Sequence, residues 1–140
     1  MDLATLQQQI QQTDLPPVES WDPPFCGDLP LHIDVDANWF YQGSKIQRPA
    51  LVKLFASVLL RQNGEYFLQT PVEKVRISVV DAPMLVTDWC WLDTDNGPAL
   101  QLTTNLQHSV LVSPQYPLRL RADAKQQWLP YLQLWRGLQA

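Results

Sequence analysis

Lys74 and Arg76, two positions apart in "TPVEKVRISVVDAP" (residues 70–83), are the residues of this chain best suited by type and spacing to hold an anion. In an extended backbone, side chains alternate between faces, so Lys74, Arg76 and Ser78 share one side with Val80. Glu73, Val75, Ile77, Val79 and Asp81 share the other. The two cations would then stand about 7 Å apart, and an arginine fork offers two parallel donors to a carboxylate or phosphate. The sequence therefore predicts a small anion-binding row at Lys74 and Arg76, closed by Arg48 or Arg136, with Trp39 or Tyr41 as a stacking wall. The competing reading is a central strand whose cations pair with acids on its neighbours.

Other chemistries find less support. Asp34, Asp36 and Asn38 mimic the first ligands of a calcium loop, but Trp39 stands at the sixth position in place of glycine and Lys45 at the twelfth in place of glutamate. A solvated strand edge and turn is expected there, and no metal ligand is assigned. His32 and His108 lack the i, i+4 partner of a helical metal site. Both are expected at the surface, His32 on a strand's polar face and His108 in a loop. No nucleophile elbow, phosphate-binding loop or dinucleotide fingerprint follows a predicted strand. Catalytic residues and cofactors are accordingly expected to be absent. Cys26 and Cys90, without CxxC spacing, are expected to be reduced and packed.

Composition narrows the class further. The 140 residues are 46% hydrophobic and 17% charged, which suits one packed domain. A net charge of −4 makes nucleic acid an unfavoured partner. No apolar run reaches the ~20 residues a bilayer span requires, and the opening "MDLATLQQQIQQTDLPP" has neither a basic nor a continuous apolar region. The expectation is a cytoplasmic protein without a membrane partner.

The elements that must position these residues follow from periodicity. Leu3, Leu6 and Ile10 mark a short amphipathic helix over 3–12. "LPPVESWDPPFCGDLP" reads as a stiff extended arm pinned by Trp21 and Phe25, giving a helix and arm over 1–30 and an α+β domain over 31–140. Leu31, Ile33 and Val35 alternate as a strand, "DAN" turns, and "WFYQ" returns. Pro49 opens a helix running through Leu60, which Asn63-Gly64 stops, and a strand resumes at Tyr66 to Gln69. Asp95-Asn96-Gly97 reverses a hairpin between "MLVTDWCWLD" and "PALQLTT", and further strands are expected at 109–112, 118–121 and 131–135. The fold class predicted is α+β, mostly antiparallel sheet, with two helices and eight or nine strands.

The blocks "WDPPFCG", "WFYQGSKIQRPALVKLFASVLL", "YFLQTPVEKVRISVVDAP" and "LPYLQLWRGLQA", in that order over residues 21–140, resemble a bacterial family called domain of unknown function 1285. The resemblance implies two similar tandem units, about 31–80 and 81–140, built mainly of antiparallel sheet. It also implies self-association and, with no activity assigned, ligand binding in signalling. The family's blocks fall on Cys26, Gly27, Trp39, Tyr41, Gly43, Ile46, Arg48, Phe55, Thr70 and Pro71, on Glu73, Lys74, Arg76, Asp81, Ala82 and Pro83, and on Asn105, Pro130, Tyr131, Arg136 and Gly137. Ala37-Asn38 stands where Asp-Gly is expected, and Met84 where phenylalanine is expected. Relatives continuing past "RGLQA" would leave a face of this chain bare, an arrangement that favours a homodimer or reduced stability.

Together these readings name Trp39, Tyr41, Arg48, Thr70, Glu73, Lys74, Arg76, Asp81 and Arg136 as the ligand-binding set. The function expected is non-catalytic binding of a small anionic metabolite between sheet and helix. The alternative is an interaction module that self-associates through "DWCWLD" or the N-terminal helix.

Overall fold

The computed structural model describes residues 3–10 and 16–140. The N-terminal helix α1 spans Leu3–Gln9 and buries Leu6. Residues 11 and 12 of the predicted helix and Leu15 at the start of the arm lie outside the described residues. A short 3-10 turn, Val18–Ser20, follows, with Val18 buried.

The first sheet holds six strands: β1 (Phe25–Ile33), β2 (Trp39–Tyr41), β3 (Ser44–Lys45), β4 (Leu59–Gln62), β5 (Glu65–Gln69) and β6 (Lys74–Val79), with α2 (Pro49–Ala56) between β3 and β4. Their order is β3-β2-β1-β6-β5-β4. Every pairing is antiparallel except that of β1 with β6, which is parallel. β1 starts at Phe25, inside the stretch read as an arm. Pro30 is tolerated in this central strand because the β1–β6 ladder shifts register between Asp28 and His32, while its carbonyl still accepts the Gln42 N–H.

The helix predicted to run through Leu60 ends at Ala56, and Leu59 and Leu60 open β4. Asn63 (φ 53°) and Gly64 (φ 80°) form the two-residue turn joining β4 to β5. Two successive positive φ angles give the turn whose twist matches a hairpin, so this pair reverses a strand where a helix stop was predicted. Pro49 does open α2, at its first turn.

The second half carries a three-stranded sheet, β7 (Val86–Thr94), β8 (Gly97–Thr104) and β9 (Ser109–Leu111), and a ribbon of β10 (Leu118–Ala122) and β11 (Trp128–Leu132). The hairpin at Asp95-Asn96 is as predicted. β11 begins three residues before the predicted start, because the Asp123 turn fixes Ala122 opposite Trp128. Trp135 falls instead in a 3-10 turn, Trp135–Gly137. The fold is α+β and mostly antiparallel, with eleven strands among the described residues.

One turn recurs at three hairpins. At Asp34, Thr104 and Asp123 the backbone N–H bonds the carbonyl four residues on, and the side-chain oxygen accepts the N–H groups two and four residues on. The fourth residue of each, Ala37, Gln107 or Gln126, has φ between 63° and 70°. This is a type I turn followed by a left-handed residue. It explains why the calcium-like "DVDAN" is a turn: the Asp34 carboxylate is occupied by its own backbone.

A single apolar cluster runs through both halves, joining Leu31, Ile33, Trp39, Phe55 and Leu68 to Leu102, Val110, Leu132 and Leu138. Trp21 packs partly against it, whereas Phe25 is half exposed, edge-on to Phe67. Both cysteines are free and exposed rather than packed.

Candidate functional site

Lys74 and Arg76 share one face of the first sheet, as strand parity predicts, but it is the outer face and not the space between sheet and helix expected for the binding row. Arg76 lies opposite Phe67 on β5 and Asp28 on β1, and His32 bonds Ser78 there at 2.7 Å. The outer face carries a hollow of about 600 Å³ beside Arg76. Arg76 is nevertheless taken: its Nε donates to Asp28 Oδ1 at 2.6 Å and its Nη1 to Glu65 Oε1 at 3.3 Å. The hydrogen bond from Arg76 holds the Asp28 carboxyl below its ordinary range, and its partner raises the guanidinium in turn. Lys74 donates to Gln62 Oε1 and lies 4.5 Å from the Phe67 ring centre. Two carboxylates around one guanidinium leave little attraction for a further anion. The arrangement matches the competing reading for Arg76, paired with acids on both neighbouring strands, whereas Lys74 bonds the Gln62 amide instead of an acid.

The remaining predicted residues do not converge on that row. Trp39 and Tyr41 pair with Ile33 and Leu31, which puts their rings on the inner face, away from Arg76. Arg48 is exposed at the start of α2. Thr70 is fully buried in the β5–β6 connection, where its hydroxyl donates to Gln9 Oε1 and accepts the Val72 and Glu73 N–H groups. It anchors α1. Glu73 lies just before β6, with Oε2 buried and without a partner.

Asp81, just beyond β6, accepts from Arg121 Nη1 at 2.9 Å and from the Tyr131 hydroxyl at 2.5 Å. The Arg121 guanidinium stacks 3.6 Å from the Tyr131 ring centre, and Nε donates to Gln139. Burial, followed by the hydrogen bond to Asp81, pushes the Tyr131 phenol up to about 12. This cluster ties the end of the first sheet to the β10–β11 ribbon. Arg136 has a side chain only 4% exposed and donates to Glu19 and to the carbonyls of Ser57 and Pro16. Both clusters are structural fastenings. His108 lies in the β8–β9 loop, as expected, half-buried and edge-on to Trp135.

A different cavity, about 380 Å³, opens between α2, the β2–β3 hairpin and the β8–β9 turn. Lys45 of β3 and Lys53 of α2 line it, and no carboxylate does. Neither ammonium has an acidic partner among the described residues. Trp39 forms part of its wall, and the indole Nε1 is buried without an acceptor. Ile46, Val52 and Leu106 add apolar surface. Asn105 is fixed there: its Oδ1 and backbone N–H bond Leu85 at 2.9 and 2.8 Å. Of the predicted set only Trp39 lines this cavity, with Arg48 between its lining neighbours Gln47 and Pro49. Lys45 and Lys53 were missed because eight residues separate them on two elements. Only the packing of α2 beside β3 brings them to one place.

This architecture has relatives among solved structures. A DUF1285 family protein from Silicibacter pomeroyi is 38% identical, with a TM-score of 0.91, over 100% of this chain and 78% of that one. The chain belongs to the DUF1285 family. A second DUF1285 family protein, from Shewanella baltica, is 34% identical with a TM-score of 0.63, over 79% of this chain and 81% of that one. Residues 16–82 match the family model "Domain of unknown function (DUF1285), N-terminal domain". In this DUF1285 chain the matched segment ends just past β6, so the cavity draws walls from that domain and, at Asn105 and Leu106, from beyond it. No curated protein matches the chain. Among the described residues no helix is long and apolar enough to cross a membrane.

Proposed function

We propose that this protein binds a small anionic metabolite without transforming it, in the cavity between α2 and the β8–β9 turn, as a cytoplasmic component of a signalling response. The observation that carries this reading is the cavity's charge. In a chain of net charge −4, two lysines line it and no acid does, beside a buried indole N–H that lacks an acceptor. Its volume suits a small molecule, and apolar walls with a few polar groups suit binding. The Lys74–Arg76 row gives way to this site because its guanidinium is already saturated by Asp28 and Glu65.

A thermal-shift screen against acidic metabolites tests the idea, since a ligand held only by the folded state at a hundred times its Kd adds about 2.7 kcal/mol of stability. Lys45→Gln and Lys53→Gln should each weaken the response, and Arg76→Ala should leave it unchanged. A flat screen, or a response lost with Arg76 and kept without both lysines, removes the proposal.

A second reading rests on the exposed face of the other half. Trp89 and Trp91, on the edge strand β7, are each 63% exposed, and Trp128 on the ribbon is 70% exposed. Three such rings expose roughly 400 Å² in all, below the ~800 Å² per partner of a stable interface. Weak self-association to a homodimer is the expectation. An elution volume independent of concentration would dismiss it.

A further inference from the structure

We infer that the occupant of the cavity is an organic dianion with an apolar body, gripped across the seam between the N-terminal domain and the second half. The inference rests on reading the cavity as an anion site. Two ammonium groups face one space that no carboxylate lines. Both lysines are exposed at the rim of the cavity, so a monoanion can pair with only one of them and leaves the other's field unused. Two negative charges compensate both.

The walls specify the rest. Trp39, Ile46 and Val52, from the matched N-terminal domain, face Leu106 across the cavity, so the middle of the ligand must tolerate apolar contact. Trp39 lines this wall, and its indole Nε1 is buried without an acceptor. Asn105 uses Oδ1 and its backbone to hold Leu85, which leaves Nδ2 as a donor from the far side. An occupant touching Lys53 and Leu106 together touches both halves of the chain. The alternatives elsewhere are already satisfied: Arg76 by two acids, and Asp81 by Arg121 and Tyr131.

Calorimetry of the intact protein with phthalate, phenyl phosphate and benzoate, at constant ionic strength, separates the possibilities. At least one of the two dianions should bind about tenfold more tightly than benzoate, the scale of one additional partly screened charge pair. Preference for phthalate assigns a dicarboxylate, and preference for phenyl phosphate a phosphate ester. Lys45→Gln and Lys53→Gln should each erase the gap, bringing the preferred dianion to within about threefold of benzoate measured on the same variant. Benzoate equal to both dianions, or a gap surviving in either variant, overturns the inference and leaves anion binding standing. If none of the three binds, the anion site itself is refuted. Hydrogen exchange with whichever dianion binds should slow over residues 105–110 as well as in α2, and slowing confined to α2 would overturn the placement across the seam.

Discussion

At the scale of single residues, Arg136 is a buried fastening, whereas the more exposed Arg76 is held in an ion pair with Asp28 and Glu65. Arg136 is 4% exposed and satisfies two carbonyls as well as Glu19, which is 65% exposed. Arg136→Ala leaves those carbonyls unpaired and should cost about 2–4 kcal/mol in urea unfolding. Glu19→Gln should cost less than about 1 kcal/mol, because its carboxylate is largely in water. Tyr131 gives a pH signature. Its folded phenol titrates near 12 for want of water and because Asp81 accepts its hydrogen bond, against an ordinary value of 10.0. Above pH 10 the unfolded chain sheds this proton while the folded chain keeps it, so stability should fall between pH 10 and 12 and be flat in this group below pH 10. Tyr131→Phe should remove that part of the alkaline decline and lower stability at pH 7 by about 1 kcal/mol, as read by denaturant midpoints.

At the scale of elements, turns decide the outcome more than strands. The sequence predicts reversal at Asp95-Asn96-Gly97 correctly, because a local turn signal stands between two strand-like apolar runs. Asn63-Gly64 carries the same signal, yet the apolar residues before it also fit a helical stripe. The ambiguity is resolved only when Leu59 and Leu60 pair with Leu68 and Phe67. Substitutions at turn glycines test this picture. Gly64 has φ 80° with open space around it, so Gly64→Ala should cost about 1 kcal/mol through backbone strain alone. Gly137 has φ 73° and a would-be Cβ 3.2 Å from the Arg61 carbonyl oxygen, so Gly137→Ala should cost more than Gly64→Ala in paired urea titrations.

At the scale of the whole molecule, the two halves share one core and are tied by Asp81 to Arg121 and Tyr131. Unfolding should therefore be a single transition, with calorimetric and van't Hoff enthalpies equal. Two separate transitions would mean that the second half folds on its own sheet. Exposed Trp89, Trp91 and Trp128 all belong to that half, which makes it the side where association would be felt.

The sequence by itself determined the fold class, most strand positions, the Pro49 helix start and the shared face of Lys74 and Arg76, because each depends on residues near in the chain and on a fixed repeat. Tertiary structure alone decided which cations stay free. Arg76 meets Asp28 across a parallel pairing and Glu65 across an antiparallel one, and Arg136 reaches back to residues 16, 19 and 57. Lys45 and Lys53 are left facing a common cavity with Asn105. Electrostatic pairing acts through space at a few ångströms, so it follows sheet order and helix packing, which local periodicity does not encode.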